Sequence, residues 1–229
     1  MNLSRLLPPG EPIDSADVDR LYSVPHERWL RINLVLSVDG SAVGVDGTSD
    51  SLSGGADRKV LGAIRRTADL VLVGASSVRA EGYRLPQTAP LAVVTASGDL
   101  GEHSLTDVTA GRLIVLCPAE ATSAVKRSVN SAQIVTVDAT AGRIAPQAIV
   151  SALRDRGFDS IVCEGGPALA GQLLASGLVD ELCLSTSPMI AGTGRPAFGE
   201  AAASTALGLT QLLIDEAGFQ FARWAVDRS

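Results

Sequence analysis

The chain has 229 residues, of which 46% are hydrophobic and only 3% aromatic, so its core must be built mainly from Val, Leu, Ile and Ala. A chain of this length can bury a substantial core without disulfides, and aliphatic cores are typical of parallel sheets covered by helices. The net charge is −6, and no cluster of Lys and Arg is longer than the pair Arg65-Arg66. This distribution argues against binding to nucleic acid.

Cysteine and histidine usage disfavours disulfides and metals. Cys117, Cys163 and Cys183 each lie inside an apolar run and are expected to be buried, reduced thiols. With only two histidines and no paired-cysteine motif, a zinc or iron site has few ligands. No stretch approaches the roughly 20 apolar residues that span a bilayer, and the first ten residues do not resemble a signal peptide. We therefore expect a cytoplasmic protein with no metal and no membrane contact.

The N-terminal part differs from the rest of the chain. Residues 1–28 are polar and contain several prolines, which predicts an irregular arm with at most one short helix around residues 15–22. Residues 29–229 are expected to form one domain. Its first strand is predicted at residues 29–38, and a turn-rich piece then leads to a helix at residues 56–67, where Val60, Leu61 and Ile64 form one apolar face.

Beyond this helix, short apolar strands alternate with helical or loop segments. The strands are predicted at residues 70–73, 91–95, 113–117, 134–137 and 160–163, and the helices at 119–129, 146–156 and 167–175. Such alternation predicts βαβ units and a mostly parallel sheet between two layers of helices. After a strand at residues 181–187, strands at 207–214 and 218–226 predict a C-terminal antiparallel hairpin that closes one edge of the sheet.

Small, hydroxylic or acidic residues follow four of the predicted strands, at residues 37–40, 74–77, 95–98 and 164–166. Ligands of open α/β sheets bind beyond the carboxyl ends of the strands. The four segments are therefore the candidate site, and their composition suits a ligand whose phosphates and polar heterocycle are bound through backbone groups.

The most informative segment is the exit of the strand at residues 160–163. There the chain passes into Glu164-Gly165-Gly166-Pro167 and then directly into a helical pattern. Glycine lets the backbone approach a ligand, proline suits a first helical position, and the free N–H groups of a helix start can bind phosphate. A nucleotide diphosphate is the first ligand to consider, although a tight turn without a ligand would explain the same residues.

Asp39 and Glu164 are the two acids of the candidate site. Each could accept hydrogen bonds from the edge of a pyrimidine or pterin, or could transfer a proton. Asp39 could equally be an ordinary Asp-Gly turn residue, and Glu164 a carboxylate that complements a helix dipole. The sequence has no phosphate-binding Gly-x-x-x-x-Gly-Lys motif and no Gly-x-Ser-x-Gly elbow, but hydride transfer needs neither because the cofactor supplies the reactive atom.

Several of these motifs together resemble the pyrimidine reductases of riboflavin biosynthesis. The matching segments lie at residues 33–40, 68–74, 163–167 and 177–182, with Pro188 and Gly192-Thr193-Gly194 downstream. These enzymes form the reductase half of a bifunctional deaminase-reductase, and stand-alone actinobacterial members also exist. The resemblance runs from about Trp29 to the C-terminus. It implies one reductase domain at residues 29–229 with a dihydrofolate reductase-like, three-layer α/β/α fold.

The resemblance implies NADPH as hydride donor and reduction of the ribosyl group of 5-amino-6-(5-phosphoribosylamino)uracil. It also implies a small-molecule substrate and a homodimer. The implied catalytic residues are Asp39 and Glu164. The implied substrate-binding residues are Asn33, Ser37, Asp39, Arg84 and Glu164, and the implied cofactor-binding residues are Gly74, Ser77, Thr95, Ser97, Glu164, Gly165, Gly166 and Pro167.

The sequence departs from the family pattern in two ways. It contains no His-x-Glu with a Pro-Cys-x-x-Cys partner, so zinc-dependent deamination is not expected of this chain. Where the family has an Asp-x-Pro-x-Leu-x-x-Arg stretch for the substrate phosphate, Glu81, Tyr83 and Thr88 take the places of the acid, the proline and the arginine. Two alternatives therefore stay open, a reductase of a pterin such as dihydrofolate and a nucleotide-binding protein without turnover.

Overall fold

Strands and helices alternate through much of the chain, and the last three elements are strands. A computed structural model describes residues 3–7, 13, 17–103, 105, 108–109, 111–192, 194–199 and 204–227. Among these residues the strands are β1 (Leu3–Leu7), β2 (Trp29–Ser37), β3 (Leu70–Gly74), β4 (Leu91–Val94), β5 (Leu113–Cys117), β6 (Gln133–Thr136), β7 (Ala139–Thr140), β8 (Arg143–Ile144), β9 (Ser160–Cys163), β10 (Glu181–Ser187), β11 (Leu207–Asp215) and β12 (Gln220–Val226). The helices are α1 (Val18–Leu21), α2 (Gly55–Arg66), α3 (Ala75–Glu81), α4 (Thr122–Ser128), α5 (Pro146–Arg154) and α6 (Pro167–Ala175).

One mixed sheet contains all of the described strands except the short pair β7 and β8. Its order is β1-β11-β12-β10-β2-β9-β3-β4-β5-β6. From β10 to β6 all neighbours are parallel, and β12, β11 and β1 add to β10 antiparallel. The predicted fold class, a mostly parallel sheet with a C-terminal antiparallel hairpin, is confirmed.

Helices cover both faces of the sheet. Along β3, Val71 and Val73 pack in the same cluster as residues of α2, α3 and α4, whereas Leu70 and Leu72 pack with residues of α5 and α6. Because side chains alternate across a strand, a strand that is buried throughout separates two apolar layers. The result is the expected three-layer arrangement. None of the helices in the described ranges is long and apolar enough to span a membrane.

The N-terminal arm is where the sequence prediction was wrong. Leu3–Leu7 forms β1 and pairs antiparallel with β11, so β1, not the C-terminal hairpin, is the outer strand of that edge. β1 has only five residues and is followed by prolines, so its alternation of apolar and polar side chains is too short to be recognised as a strand. The expected short helix is present as α1, although Ser15, at the start of its predicted range, lies outside the described residues. Thr193, in the downstream Gly192-Thr193-Gly194 segment, also lies outside them. The division into an arm and one domain stays a prediction.

A buried ion cluster fastens the arm to the sheet. Glu181 on β10 lies between Arg31 on β2, at 3.0 Å, and Arg223 on β12, at 2.6 Å, and the Glu181 and Arg31 side chains are 4% and 2% exposed. Arg31 also donates to the carbonyl of Tyr22 at 2.8 Å, and Arg223 donates to the carbonyl of Leu21. The two guanidinium groups therefore tie the end of α1 to three strands.

We predict that Glu181→Gln lowers the free energy of unfolding by about 3–5 kcal/mol, because it leaves two buried arginines without their anion. Asp17→Asn is the matched control. Asp17 pairs with Arg20 at the surface, with exposures of 46% and 78%, and its loss should cost at most about 1 kcal/mol. Urea unfolding measures both changes, and equal losses would contradict the role given to the cluster.

Candidate functional site

Three adjoining cavities form the candidate site, two of them at the carboxyl ends of the parallel strands and the third along α2 and the segment after α3. We call them the central cavity, about 180 Å³, the outer groove, about 1090 Å³, and the hairpin groove, about 350 Å³. The central cavity and the outer groove share Arg65, Glu81 and Tyr83 in their walls. The central cavity and the hairpin groove meet at Ser76. The cavities thus form one continuous row.

The exits of β3 and β9 form the middle of this row. The Gly74 N–H donates to the Gly165 carbonyl at 2.8 Å, and Gly165 has a φ of +106°, which favours glycine. The Gly165–Gly166 peptide is cis. Helix α6 begins at Pro167, directly after this turn, and Gly166 at its N-cap provides no side chain. The first-turn N–H groups of α6 therefore have no acceptor within the helix.

Gly166 is needed for close packing as well as for the turn. A Cβ atom at this position would lie 2.9 Å from the Ser76 Oγ and 3.0 Å from the Ser77 Oγ, at the start of α3. Such distances require a shift of the serines or of the turn. The backbone of the turn and the two hydroxyl groups thus form one wall between the central cavity and the hairpin groove.

Glu164 lies beside this turn and is held by an ion pair. Its carboxylate is 6% exposed and receives two hydrogen bonds from Arg65, Nε to Oε1 at 2.7 Å and Nη2 to Oε2 at 2.6 Å. The Tyr83 hydroxyl also donates to Oε2. Burial acts to lower the pKa of Arg65, but the hydrogen bonds and charge of Glu164 outweigh it and raise that pKa. Burial and the charge of Glu164 raise the pKa of the Tyr83 phenol well above its usual value.

Glu81 stands at the junction of the central cavity and the outer groove. It ends α3, and its carboxylate accepts a hydrogen bond from the Ser49 hydroxyl at 2.8 Å. Glu81 is an exposed residue at the rim of these cavities, but the surrounding protein still desolvates its carboxylate enough to raise its pKa, and the negative charges of Glu164 and Asp50 act in the same direction. Glu81 therefore keeps its proton to a higher pH than an ordinary glutamate does.

Asp39 lies away from the three cavities. Its carboxylate accepts hydrogen bonds from the Ser37 hydroxyl, from the Ala191 N–H at 3.0 Å and from the Gly192 N–H at 2.9 Å. These bonds lower the pKa of Asp39 to about 2. The acid thus anchors the loop after β10 to the turn after β2, as the turn-residue alternative anticipated. Its implied roles in catalysis and substrate binding stay predictions.

The predicted site residues other than Asp39 fall into four groups. Asn33, Ser77, Glu164, Gly165, Gly166 and Pro167 line the central cavity. Gly74, Thr95 and Ser97 line the hairpin groove, and Arg84 lines the outer groove. Ser37 is buried and accepts a hydrogen bond from the Ser41 N–H at 3.0 Å, outside these cavities.

Sequence reasoning missed Arg65 as a site residue. Arg65 lies in the last turn of α2, where a cation is explained by the helix dipole alone, and its partner Glu164 is 99 residues away. Tyr83 was noticed only as a replacement for a family proline. Nothing in the linear sequence shows that these two side chains meet at Glu164.

The fold is shared with solved structures. A pyrimidine reductase-like protein of Corynebacterium diphtheriae superposes with a TM-score of 0.74, covering 93% of this chain and 99% of that one, at 24% identity. At this level of identity the likeness shows a shared fold and no more.

Residues 28–221 match the model of the RibD C-terminal domain family, and the chain belongs to that family. The riboflavin biosynthesis protein RibD of Mycobacterium tuberculosis is 30% identical over 169 residues, which are 74% of this chain and 44% of that protein. The chain thus spans less than half the length of this relative. A 2,5-diamino-6-ribosylamino-4(3H)-pyrimidinone 5′-phosphate reductase of Methanothermobacter thermautotrophicus is 26% identical and covers 74% of this chain and 81% of its own. The predicted family is confirmed.

We predict that Gly166→Val lowers the free energy of unfolding by about 1–3 kcal/mol, because its side chain overlaps the Ser76 and Ser77 hydroxyl groups. Gly208→Val is the control, since a Cβ there meets no atom within 4 Å. Chemical unfolding of both variants measures the difference. Equal stability of the Gly166 and Gly208 variants would show that the turn can accommodate a side chain beside Ser76 and Ser77, and would contradict the close packing described here.

Asp39 gives a prediction about pH. Its folded-state pKa of about 2 lies below the ordinary 3.8, so its stabilising effect on the loop is complete above 3.8 and is lost as the pH falls toward 2. The amide proton shifts of Ala191 and Gly192 should therefore titrate with a midpoint near 2, measured by NMR. A midpoint at the ordinary value, or no titration, would contradict the bonds assigned to Asp39.

Proposed function

We propose that this chain is an NADPH-dependent reductase of riboflavin biosynthesis that acts on 5-amino-6-(5-phosphoribosylamino)uracil. Membership of the RibD C-terminal domain family supports a reductase of this pathway, as does the relative named as a ribosylaminopyrimidinone phosphate reductase. The observation that carries the proposal is the continuous row of three cavities, with the glycine turn at its middle and a charged junction beside it. A dinucleotide and a second ligand need such a row to meet end to end.

The residues at the glycine turn fit a dinucleotide. Gly74, Gly165 and Gly166 bring backbone close to the cavity walls, and the first turn of α6 offers N–H groups to a pyrophosphate. Ser76 and Ser77 add hydroxyl donors at the same place. NADPH would supply the hydride when bound, and the chain would hold it across the turn with its nicotinamide end toward the central cavity.

The outer groove suits the phosphate end of the substrate. Lys59 and Arg84 line it, and neither has a hydrogen bond or ion pair with another described side chain. Arg65 stands where this groove meets the central cavity, and Glu164 and Tyr83 fix its guanidinium. A cation held in one position is well suited to orient an anionic ligand, because little side-chain freedom is lost on binding. Asn33 in the central cavity can exchange hydrogen bonds with the uracil.

Glu81 is the proton donor in this proposal. Reduction of the ring-opened imine places a hydride on C1′ and a proton on the nitrogen, so an acid must stand near that atom. Asp39 lies away from the cavities with a lowered pKa, and Glu164 is engaged by Arg65 and Tyr83. Glu81 lines the junction, and its pKa is raised. A carboxyl group with a raised pKa keeps its proton closer to neutral pH.

Two further features of the proposal concern the protein as a whole. We propose a cytoplasmic location, since Cys117, Cys163 and Cys183 are free and buried. We also propose a homodimer, by resemblance to the family.

The proposal predicts that the purified chain oxidises NADPH when 5-amino-6-(5-phosphoribosylamino)uracil is added, measured as loss of NADPH absorbance. Oxidation with dihydrofolate and not with the uracil compound would instead make it a pterin reductase. Saturable NADP⁺ binding without oxidation in the presence of either compound would make it a nucleotide-binding protein without turnover.

The same assay tests the proton donor. Glu81→Gln should lower kcat about a hundredfold or more and leave NADP⁺ affinity unchanged. In the unaltered protein kcat should fall as the pH rises through the raised pKa of Glu81, and the variant should lack this decline. Glu27→Gln, an exposed substitution just before β2, is the matched control. A Glu81 variant with normal kcat and an unchanged pH profile would exclude Glu81 from proton transfer.

A further inference from the structure

The hairpin groove has a charge composition unlike that of the other two cavities. Among the described residues that line it, Arg79 and Arg143 are charged and no acid is present. The central cavity, by contrast, has Asp57, Glu81 and Glu164 in its walls. In a chain with a net charge of −6, a groove whose described lining holds two arginines and no acid favours an anionic ligand.

A separate structural element carries Arg143 to the groove. β7 and β8 form a two-stranded hairpin outside the main sheet, and Ala141 and Gly142 at its turn both have positive φ, 52° and 73°. Two positive φ values are typical of the tight turn that joins such short strands. Ile144 is 5% exposed and packs in the core cluster of α5 and α6, which anchors the hairpin. Gly142 and Arg143 both line the groove.

The two arginines differ in how much of their charge is already used. Arg79 donates to the Asp99 carbonyl at 2.7 Å and lies 3.9 Å from the Asp99 carboxylate, so part of its charge is compensated. Arg143 is exposed, and apart from its backbone pairing with Thr140 it has no hydrogen bond or ion pair with another described residue. Arg143 is therefore the cation of this groove that is free to bind a ligand.

Hydroxyl groups after β4 complete the groove. The Thr95 Oγ1 accepts from the Gly98 N–H at 3.0 Å, and the Ser97 Oγ accepts from the Asp99 N–H at 3.2 Å. A hydroxyl oxygen that already accepts a hydrogen bond can still donate its own hydrogen. Both side chains line the same groove as Arg79 and Arg143. Guanidinium groups and hydroxyl donors are suited to binding a phosphate monoester, because arginine forms charge-assisted hydrogen bonds with phosphate oxygens.

We infer that Arg143, assisted by Arg79 and the Ser97 hydroxyl, binds the 2′-phosphate of the cofactor and thereby selects NADPH over NADH. The inference rests on the proposed function for its choice of a nicotinamide dinucleotide. The glycine turn borders the central cavity on one side and meets the hairpin groove at Ser76 on the other, so a dinucleotide held at the turn extends its adenosine half into the groove. NADPH differs from NADH only in the 2′-phosphate, and this phosphate gives NADPH its additional negative charge.

Isothermal titration calorimetry with 2′,5′-ADP and 5′-AMP tests the inference without any turnover. The unaltered protein should bind 2′,5′-ADP more tightly. Arg143→Ala should weaken 2′,5′-ADP binding about tenfold or more and leave 5′-AMP binding unchanged, because a charge-assisted hydrogen bond to phosphate is lost. Arg79→Met should have a smaller effect in the same direction, since Asp99 already compensates part of the Arg79 charge.

Arg156→Ala is the matched control, with the same change of charge at an exposed position after α5, where its guanidinium contacts the Ala152 carbonyl. Its nucleotide affinities should equal those of the unaltered protein. Equal losses for both nucleotides in Arg143→Ala would mean that Arg143 contacts the adenosine, and no loss for either would exclude Arg143 from the site. Both results overturn the inference.

The outcome is separable from that of the proposed function. If the uracil compound is not reduced but 2′,5′-ADP binding depends on Arg143, the proposed substrate fails and the inference stands. If the unaltered protein binds 5′-AMP as tightly as 2′,5′-ADP, the inference fails whatever reaction the chain performs.

Discussion

The ion pair between Arg65 and Glu164 is the contact on which the architecture of the site depends. It joins the end of α2 to the exit of the central strand β9, and Tyr83 adds the segment after α3 to the same carboxylate. Both partners are largely buried, with 24% and 6% of their side chains exposed. A buried charge without its partner is strongly destabilising, so each of the three segments is held in place by the other two. These segments are also the walls of the central cavity.

A second buried cluster performs a similar task at the other end of the parallel strands. Arg31, Glu181 and Arg223 connect three strands to the end of α1, while Arg65 and Glu164 connect helix α2 to a strand exit. The two clusters differ in their access to solvent. Arg65 faces two cavities, whereas Arg31 is 2% exposed and faces none of the three. The first cluster can therefore act on a ligand, and the second contributes to the fold.

Much of the fold was predictable because local patterns and tertiary packing agree. The apolar runs at β3, β5 and β9 are short, bounded by turns and buried on both faces, as parallel strands between helix layers must be. β1 was missed because its own five residues have no clear strand pattern. It is a strand because it pairs with β11, more than 200 residues away in the sequence. Helix α3 was missed because Ala-Ser-Ser after a strand resembles a loop, and the C-cap Gly82 was the available signal.

The sequence predicted which backbone segments lie together at the site, but it did not predict which side chains pair with Glu164 and Asp39. Strand exits meet at one edge of a parallel sheet, so the grouping of Gly74, Ser77 and Gly166 follows from topology alone. The partners of Glu164 and Asp39 depend on long-range contacts, to Arg65 in one case and to the Ala191 and Gly192 amides in the other. A carboxylate at a strand exit can face a ligand or a neighbouring loop, and only the folded structure distinguishes the two.

The most direct measurement is a double-mutant cycle on the unfolding free energies of Arg65→Met, Glu164→Gln and the combined variant. If the ion pair organises the site, each single variant leaves one group without its partner, and the combined loss should be smaller than the sum by at least about 1 kcal/mol. Losses that add within about 0.5 kcal/mol would show that the two side chains act independently and would contradict the account.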